Sequence, residues 1–154
     1  MNACSELLRS IRRIIKLFET SEQAVCRTYS LSLTEVDVLA FLANNPGLDT
    51  ATDIVELRMI PKANVSQAVD ALIRKELLIR QQDMKDRRRI HLTVTPKAAP
   101  IIAELHQVRH TFAAQLLSGF SPQEITVFSS MNERIAANAA AALKEMKPNG
   151  ADKQ

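Results

Sequence analysis

Apolar residues recur at helical spacing along most of this chain, and only one short segment alternates apolar with polar residues. Between residues 4 and 26 the apolar side chains that share one helix face are Leu7, Ile11, Ile14, Phe18 and Val25. This spacing predicts a long amphipathic helix. Residues 89–95 alternate strictly and predict a half-buried strand, paired with residues 77–82, whose buried side carries Ile90, Leu92 and Val94. The fold class predicted is therefore mainly α with a small β-hairpin.

Helix-start signals divide the centre of the chain into three shorter helices. Thr34, with Asp37 three residues later, resembles a capping box and predicts the start of the first. Thr50 or Thr52 opens a short second helix, and Pro61, a residue favoured at the first helical position, opens the third. A short helix, a tight connection and a further helix form the helix-turn-helix arrangement.

Two further helices follow the hairpin. The first starts at Pro96 and ends at Gly119, and Ser121 with Glu124 three residues later is a strong start for the second. These two helices and the first helix of the chain carry apolar stripes that extend beyond what one small lobe can cover. This surplus of apolar surface predicts that the chain pairs with a second copy of itself as a homodimer.

The composition excludes several classes of protein. Only 3 glycines and 4% aromatic residues argue against an all-β barrel. No segment approaches the roughly 20 apolar residues that span a membrane, and the charged N-terminus shows no signal peptide, so the expected location is the cytoplasm. Two cysteines make no disulfide framework. The net charge of +3 permits binding to nucleic acid without showing it.

Catalytic motifs are absent from the sequence. It contains no G-x-G-x-x-G, no P-loop and no H-E-x-x-H pattern. Scattered serines and His91 do not define a catalytic triad. The chain is therefore not expected to be an enzyme.

Two segments resemble the MarR family of transcription regulators. VSQAVDALIRKELLIR (residues 65–80) is similar to the family's recognition helix and first strand, and DMKDRRRIHLTVTPKA (residues 83–98) is similar to its wing. The family often has Gly where Glu76 stands, and again where Ala98 or Ala99 stands. A residue that follows a helix in this way often needs a positive φ.

The resemblance covers nearly the whole chain and implies a winged helix-turn-helix plus a helical dimerisation region. Residues 31–95 would form the DNA-binding lobe, residues 1–30 and 96–147 the dimerisation region, and residues 148–154 a disordered tail. It further implies a homodimer that binds an inverted-repeat operator in double-stranded DNA and acts as a repressor. A small-molecule or ion effector would release it from the operator. The alternative function is a winged-helix protein-interaction module without DNA binding.

One face of the third short helix has the composition of a DNA-reading surface. With Val69 at the centre of the buried face, a rotation of roughly 100° per residue places a polar stripe on the opposite side. The stripe contains Ala63, Asn64, Gln67, Ala71 and Arg74. Asn and Gln can pair with adenine, Ala can contact a thymine methyl group, and Lys62 and Ser66 are placed to hold phosphates. The alternative is an ordinary solvated helix face.

The predicted wing concentrates positive charge in a short loop. Lys85, Arg87, Arg88 and Arg89 lie within five residues, and such a loop can enter a narrow, electronegative minor groove. Asp83 and Asp86 are expected to shape the loop by accepting hydrogen bonds from backbone N–H groups or from Arg side chains. Arg87 is interpreted as structural, which leaves Arg88 and Arg89 as the better DNA contacts. The alternative is a solvated, charged hairpin tip.

A metal site is the last hypothesis. His106 and His110 are four residues apart on one predicted helix and therefore share a face. Zinc-sensing members of the MarR family use a similar pair with a Cys and an acidic residue, and the resemblance implies Cys26 and Asp37 in those places. No cofactor is otherwise indicated. The alternatives are a His pair on an exposed helix flank, an unreactive Cys26, and an organic effector in place of zinc.

Overall fold

The computed structural model describes residues 2–146 and shows a mainly helical chain with one β-hairpin. The elements in chain order are α1 (Ala3–Tyr29), α2 (Leu33–Asn44), α3 (Ala51–Arg58), α4 (Lys62–Arg74), β1 (Leu78–Gln82), β2 (Ile90–Val94), α5 (Ala99–Leu116) and α6 (Pro122–Met146). The predicted fold class is confirmed. The predicted disordered tail lies outside the described residues.

The described chain divides into two compact units at residues 114 and 115. The first unit contains the hydrophobic core, to which α2 contributes five apolar residues: Val36, Val38, Leu39, Ala40 and Phe41 are all buried. Ile54 of α3, Leu72 of α4 and Leu78 of β1 are fully buried as well. The core therefore lies where the helix-turn-helix and the hairpin meet α2. The predicted boundary between residues 95 and 96 separates a DNA-binding lobe from a dimerisation region, not two packing units. It stays a prediction.

Helix α2 begins two residues earlier than Thr34 predicts. Ser32 is the N-cap, its hydroxyl accepts from the Glu35 N–H at 3.1 Å, and the Glu35 carboxylate accepts from the Ser32 N–H at 3.3 Å. The same Glu35 carboxylate also accepts from Lys75 Nζ at 2.6 Å. Ser32 rather than Thr34 caps the helix because its capping partner, Glu35, is stabilised by Lys75, which lies 40 positions away. The local sequence pattern does not reveal this contact.

The helix-turn-helix is formed by α3 and α4. Thr50 caps α3 in a capping box with Asp53, which decides between the two predicted threonines. Met59 at φ 55 turns the chain between the helices. Pro61 is the N-cap of α4 and not its first residue, so the prediction was wrong by one position.

The hairpin pairs β1 with β2 in antiparallel register, from Leu78 opposite Val94 to Gln82 opposite Ile90. Leu92 is buried and Val94 is half-buried, but Ile90 is exposed. The predicted buried side therefore holds only at the end of the hairpin next to the core. Beyond Leu92 the strands project from the lobe, and nothing in the described chain covers the apolar position that alternation assigned to the inside.

Glu76 stands where the MarR family often has glycine. Its φ is 62, so the positive φ predicted for this helix end is present in a residue that has a side chain. The Glu76 carbonyl accepts from Thr95 Oγ1 at 2.7 Å and its carboxylate accepts from Lys97 at 2.9 Å. These two bonds hold the strained residue against the segment that leads into α5.

The remaining helices follow their predicted starts closely. A 3₁₀ turn over Pro96–Ala98 precedes α5, so the α-helix itself begins at Ala99 rather than at Pro96. Ser121 and Glu124 form the reciprocal cap of α6 as predicted. No residue of α6 is buried. None of the described helices has the length and apolarity needed to cross a membrane.

Candidate nucleic-acid interface

The outer face of α4 is exposed along its whole length, and its inner face anchors the helix. Val65, Ala68, Val69 and Leu72 are buried, as the periodicity predicts. The exposed positions are Lys62, Ala63, Asn64, Ser66, Gln67 and Arg74. Ala71, predicted on the same stripe, is half-buried and lies at its edge. The structure thus brings six of the predicted residues onto one open surface.

A polar groove of about 560 Å³ runs between this face of α4 and the start of α2. Asn64, Gln67 and Arg74 line it on one side, and Ser32 and Thr34 line it on the other. The side-chain amides of Asn64 and Gln67 have no hydrogen-bond partner within the described residues. Both amides are therefore free to bind a base edge, which is the property that direct readout needs.

Two ion pairs position α4, and the sequence analysis missed both. Arg80 of β1 bonds the carboxylate of Asp70, the one acidic residue of α4. Lys75, at the end of α4, donates to Glu35 and to the Ser30 carbonyl at 2.8 Å. The first pair neutralises a negative charge beside the exposed face. The second joins the end of α4 to the start of α2 and to the end of α1.

The loop between the strands is shaped by two aspartates, as predicted. Asp83 Oδ1 accepts from the N–H groups of Lys85 and Asp86 at 2.7 and 2.8 Å, and Asp86 Oδ1 accepts from the Arg88 N–H at 3.0 Å. A backbone bond from the Asp83 N–H to the Arg89 carbonyl, 3.0 Å long, closes the loop. One carboxylate oxygen of each aspartate is therefore occupied by backbone N–H groups.

Lys85, Arg87, Arg88 and Arg89 are all exposed. Within residues 2–146 none of the four side chains enters an ion pair. Arg87 takes part in the loop through its carbonyl, which accepts from Gln82 Nε2 at 2.8 Å. The structural role predicted for Arg87 thus falls to its backbone, and its guanidinium is as open as those of Arg88 and Arg89.

Arg88 and Arg89 also line a groove of about 530 Å³ between the wing and the start of α3. Thr50 and Thr52 lie on the opposite wall. Asp53 and Asp86 line the same groove, so its opening combines two guanidinium groups with two carboxylates.

His91 is a residue of this surface that the sequence analysis did not single out. Its Nδ1 lies 2.7 Å from Asp49 Oδ1 and its Nε2 lies 3.0 Å from Asp83 Oδ2. Hydrogen bonds to these carboxylates, Asp83 first, raise the pKa of His91 above 6.5, and the bond from His91 lowers the pKa of Asp83 to about 2. Only its position on the hairpin, eight residues past Asp83, could have hinted at such contacts.

The four residues of the zinc hypothesis are not assembled into one site. His106 and His110 are exposed on α5, and Cys26 is half-buried on α1. Asp37 lies 3.6 Å from Arg58 Nε and 3.5 Å from an Arg109 nitrogen. Over residues 2–146 no three His, Cys, Asp or Glu side chains are grouped closely enough to hold a metal ion. Burial also raises the pKa of the Cys26 thiol, which disfavours the thiolate a metal needs.

The sequence of this chain is similar to those of known transcription regulators. A sequence model of the MarR family matches residues 29–89. The HTH-type transcriptional regulator YwaE of Bacillus subtilis is 28% identical over 138 residues, which are 90% of this chain and 78% of YwaE.

Solved structures show the same fold. A MarR family transcriptional regulator from Listeria monocytogenes, complexed with a 26-mer DNA, superposes with a TM-score of 0.82 at 19% identity, over 93% of this chain and 97% of the other. Bordetella bronchiseptica BpsR, whose DNA binding is regulated by 6-hydroxynicotinic acid, superposes with a TM-score of 0.68 at 21% identity, over 85% and 98%.

Proposed function

We propose that this chain is a DNA-binding transcriptional regulator of the MarR family, and that it acts as a homodimeric repressor that leaves its operator when an effector binds. The observation that carries the proposal is the joint exposure of the polar face of α4 and the unneutralised basic loop of the wing. An acidic wing or a bulky apolar face on α4 would instead have favoured a protein-interaction module.

In the proposed complex α4 enters the major groove and the wing enters the adjacent minor groove. Asn64 and Gln67 read base edges, with Ala63 against a thymine methyl group. Lys62, Ser66 and Arg74 contact phosphates and set the register of the helix. Lys85, Arg87, Arg88 and Arg89 supply the wing's charge, which a narrow minor groove attracts.

Dimerisation is proposed from apolar surface that each unit leaves open. On α1 the exposed large apolar side chains are Leu7, Leu8, Ile11, Ile14, Ile15 and Leu17. On α6 they are Val127, Phe128, Met131, Ile135, Leu143 and Met146. Exposed apolar residues concentrated in this way on one helix mark an interface, and a second copy would place two copies of α4 on successive turns of an inverted-repeat operator.

Release by an effector is proposed from the architecture and from a relative. The DNA binding of BpsR is regulated by 6-hydroxynicotinic acid, a small organic acid. A ligand of this chain would act only if it bound one spacing of the two copies of α4 more tightly than the other. A small organic molecule is the default class, and zinc is the alternative.

The DNA-binding proposal is tested by selecting binding sites from a randomised duplex pool. We expect an inverted repeat with half-sites about one helical turn apart. Asn64→Ala and Gln67→Ala should each weaken binding to this duplex by about 1–3 kcal/mol and relax preference at particular base pairs. Gln107→Ala, which changes an exposed amide on α5, is the matched control and should bind as the wild type does.

A different experimental result would contradict each part of the proposal. Unchanged ratios of specific to random binding in both α4 variants would remove α4 as the reading helix. Sedimentation that shows only monomer at micromolar concentration would remove the dimer. A compound and metal library in which nothing releases the selected duplex would leave a constitutive DNA-binding protein.

A further inference from the structure

We propose that His91 is a positioning residue for DNA binding, which links the wing to the helix-turn-helix through Asp49 and Asp83 when its imidazole ring is charged. The inference rests on the proposed use of the wing in DNA binding. It concerns a side chain that would not itself need to touch DNA.

The contacts of the ring join three separate parts of the lobe. Asp49 belongs to the connection that leads into α3, His91 lies on β2, and Asp83 begins the wing loop. The Leu92 N–H donates to the Asp49 carbonyl at 2.7 Å, so backbone and side chain link β2 to the same residue. The ring therefore stands between the start of the helix-turn-helix and the loop that carries the basic residues.

Both contacts exist together only in the charged form of the ring. A neutral imidazole has one N–H group, so it can donate to one of the two carboxylates and must turn a lone pair toward the other. The charged ring donates to both, at the observed 2.7 and 3.0 Å. Because each partner is an acceptor when ionised, losing the proton breaks one link and creates a repulsion in its place.

The charges around the ring favour its charged form. Two carboxylates are in contact with the ring and a third, on α3, is near enough to interact. The nearby cations are both on the loop between the strands. These groups are Asp49, Asp83, Asp53, Lys85 and Arg89. The raised pKa of His91 agrees with this excess of negative charge at the ring.

The position of Asp83 carries the effect from the ring to the loop. One carboxylate oxygen of Asp83 faces the ring, while the other accepts from the Lys85 and Asp86 N–H groups that give the loop its shape. A shift of this carboxylate therefore moves the backbone that presents Arg88 and Arg89. Affinity for DNA scales with the fraction of molecules whose wing is already placed for binding.

The sign of the pH effect follows from the raised pKa. Links that need the charged ring are present below the pKa of His91 in the folded protein and are lost as the pH rises through it. DNA binding should therefore weaken as the pH rises from 6 to 9. The ring is partly open to solvent, so we expect a loss of about three- to tenfold beyond that of a variant without the ring.

The test is fluorescence anisotropy of the wild-type protein on the labelled duplex recovered by selection, at pH steps from 6 to 9. His91→Gln should bind less tightly at pH 6 and lose most of the pH dependence, while Thr93→Ala, an exposed change on the same strand, should keep the wild-type profile. His106 and His110 remain in all three proteins, so any effect of these two residues is common to all three.

A second measurement does not depend on DNA. In ring-nitrogen NMR spectra one histidine of the wild type should titrate above 6.5, and Asp49→Asn should shift that titration down. Specific binding with the same pH profile in wild type and His91→Gln would overturn the inference alone. Absence of specific binding by the wild type at every pH would overturn the proposed function. If His91→Gln fails to fold, Asp49→Asn in the anisotropy assay decides, and an unchanged profile there would count against the inference.

Discussion

Arg109 of α5 donates through Nε to the buried carboxylate of Glu22 on α1, over 2.8 Å. The guanidinium also stands 5.1 Å from the centre of the Phe18 ring and 3.5 Å from Asp37 on α2. Burial raises the pKa of Glu22 above its ordinary value, with the Arg109 guanidinium acting in the opposite direction. One arginine thus joins three helices of the first unit around a carboxylate that is almost fully buried.

Arg109→Leu should lower the free energy of unfolding by roughly 3 kcal/mol, because it leaves the Glu22 carboxylate buried without its partner. Glu22→Leu combined with Arg109→Leu should recover a large part of that loss, since no unpaired charge then remains. Urea unfolding measures both, with the exposed Arg27→Leu on α1 as a control expected to change stability by less than about 0.5 kcal/mol. A double variant no more stable than Arg109→Leu would contradict the argument.

The two possible caps of α2 can be separated by mutation. Ser32→Ala removes the N-cap hydroxyl and should cost about 1 kcal/mol of stability. Thr34→Ala changes a residue inside the first turn and should cost clearly less. Thermal unfolding of the two variants under the same conditions gives the comparison, and equal losses would show that the cap is not localised at Ser32.

Glu76→Gly should stabilise the protein slightly, by about 0.5 kcal/mol. Glycine removes the strain of a side-chain-bearing residue at φ 62, which is worth roughly 1 kcal/mol. The lost ion pair with Lys97 lies at the surface and is worth less than that. Lys97→Ala, which removes the pair and keeps the strain, is the control and should be neutral or slightly destabilising. A clear loss of stability in Glu76→Gly would mean that the pair outweighs the strain.

The zinc hypothesis is decided by metal content. Since the described chain holds no group of three potential ligands, we expect the chelator-treated wild type and the double variant His106→Ala, His110→Ala to take up equally little zinc. Operator affinity should be the same with and without zinc for both proteins. Tighter uptake by the wild type, weakening at low pH because a metal ligand must be the neutral ring, would instead establish a site and make zinc the effector.

The sequence by itself determined the number and kind of elements. Periodic apolar residues such as Val65, Val69 and Leu72 predicted α4 and its buried face, because a helix places every third or fourth side chain on one side whatever it packs against. Asp83 and Asp86 were correctly expected to hold the wing loop, since aspartates accept from backbone N–H groups two and three residues away. These predictions depend on neighbours in the chain and so could be made without a fold.

Only the tertiary structure decided the interactions between distant residues. Ser32 rather than Thr34 caps α2 because Lys75, far along the chain, stabilises Glu35. Ile90 is exposed because the hairpin extends beyond the core, although its alternation is that of an inward residue. His91 contacts Asp49 across 42 positions. Each outcome depends on which elements the folded chain brings together, and a pattern of near neighbours contains no information about that.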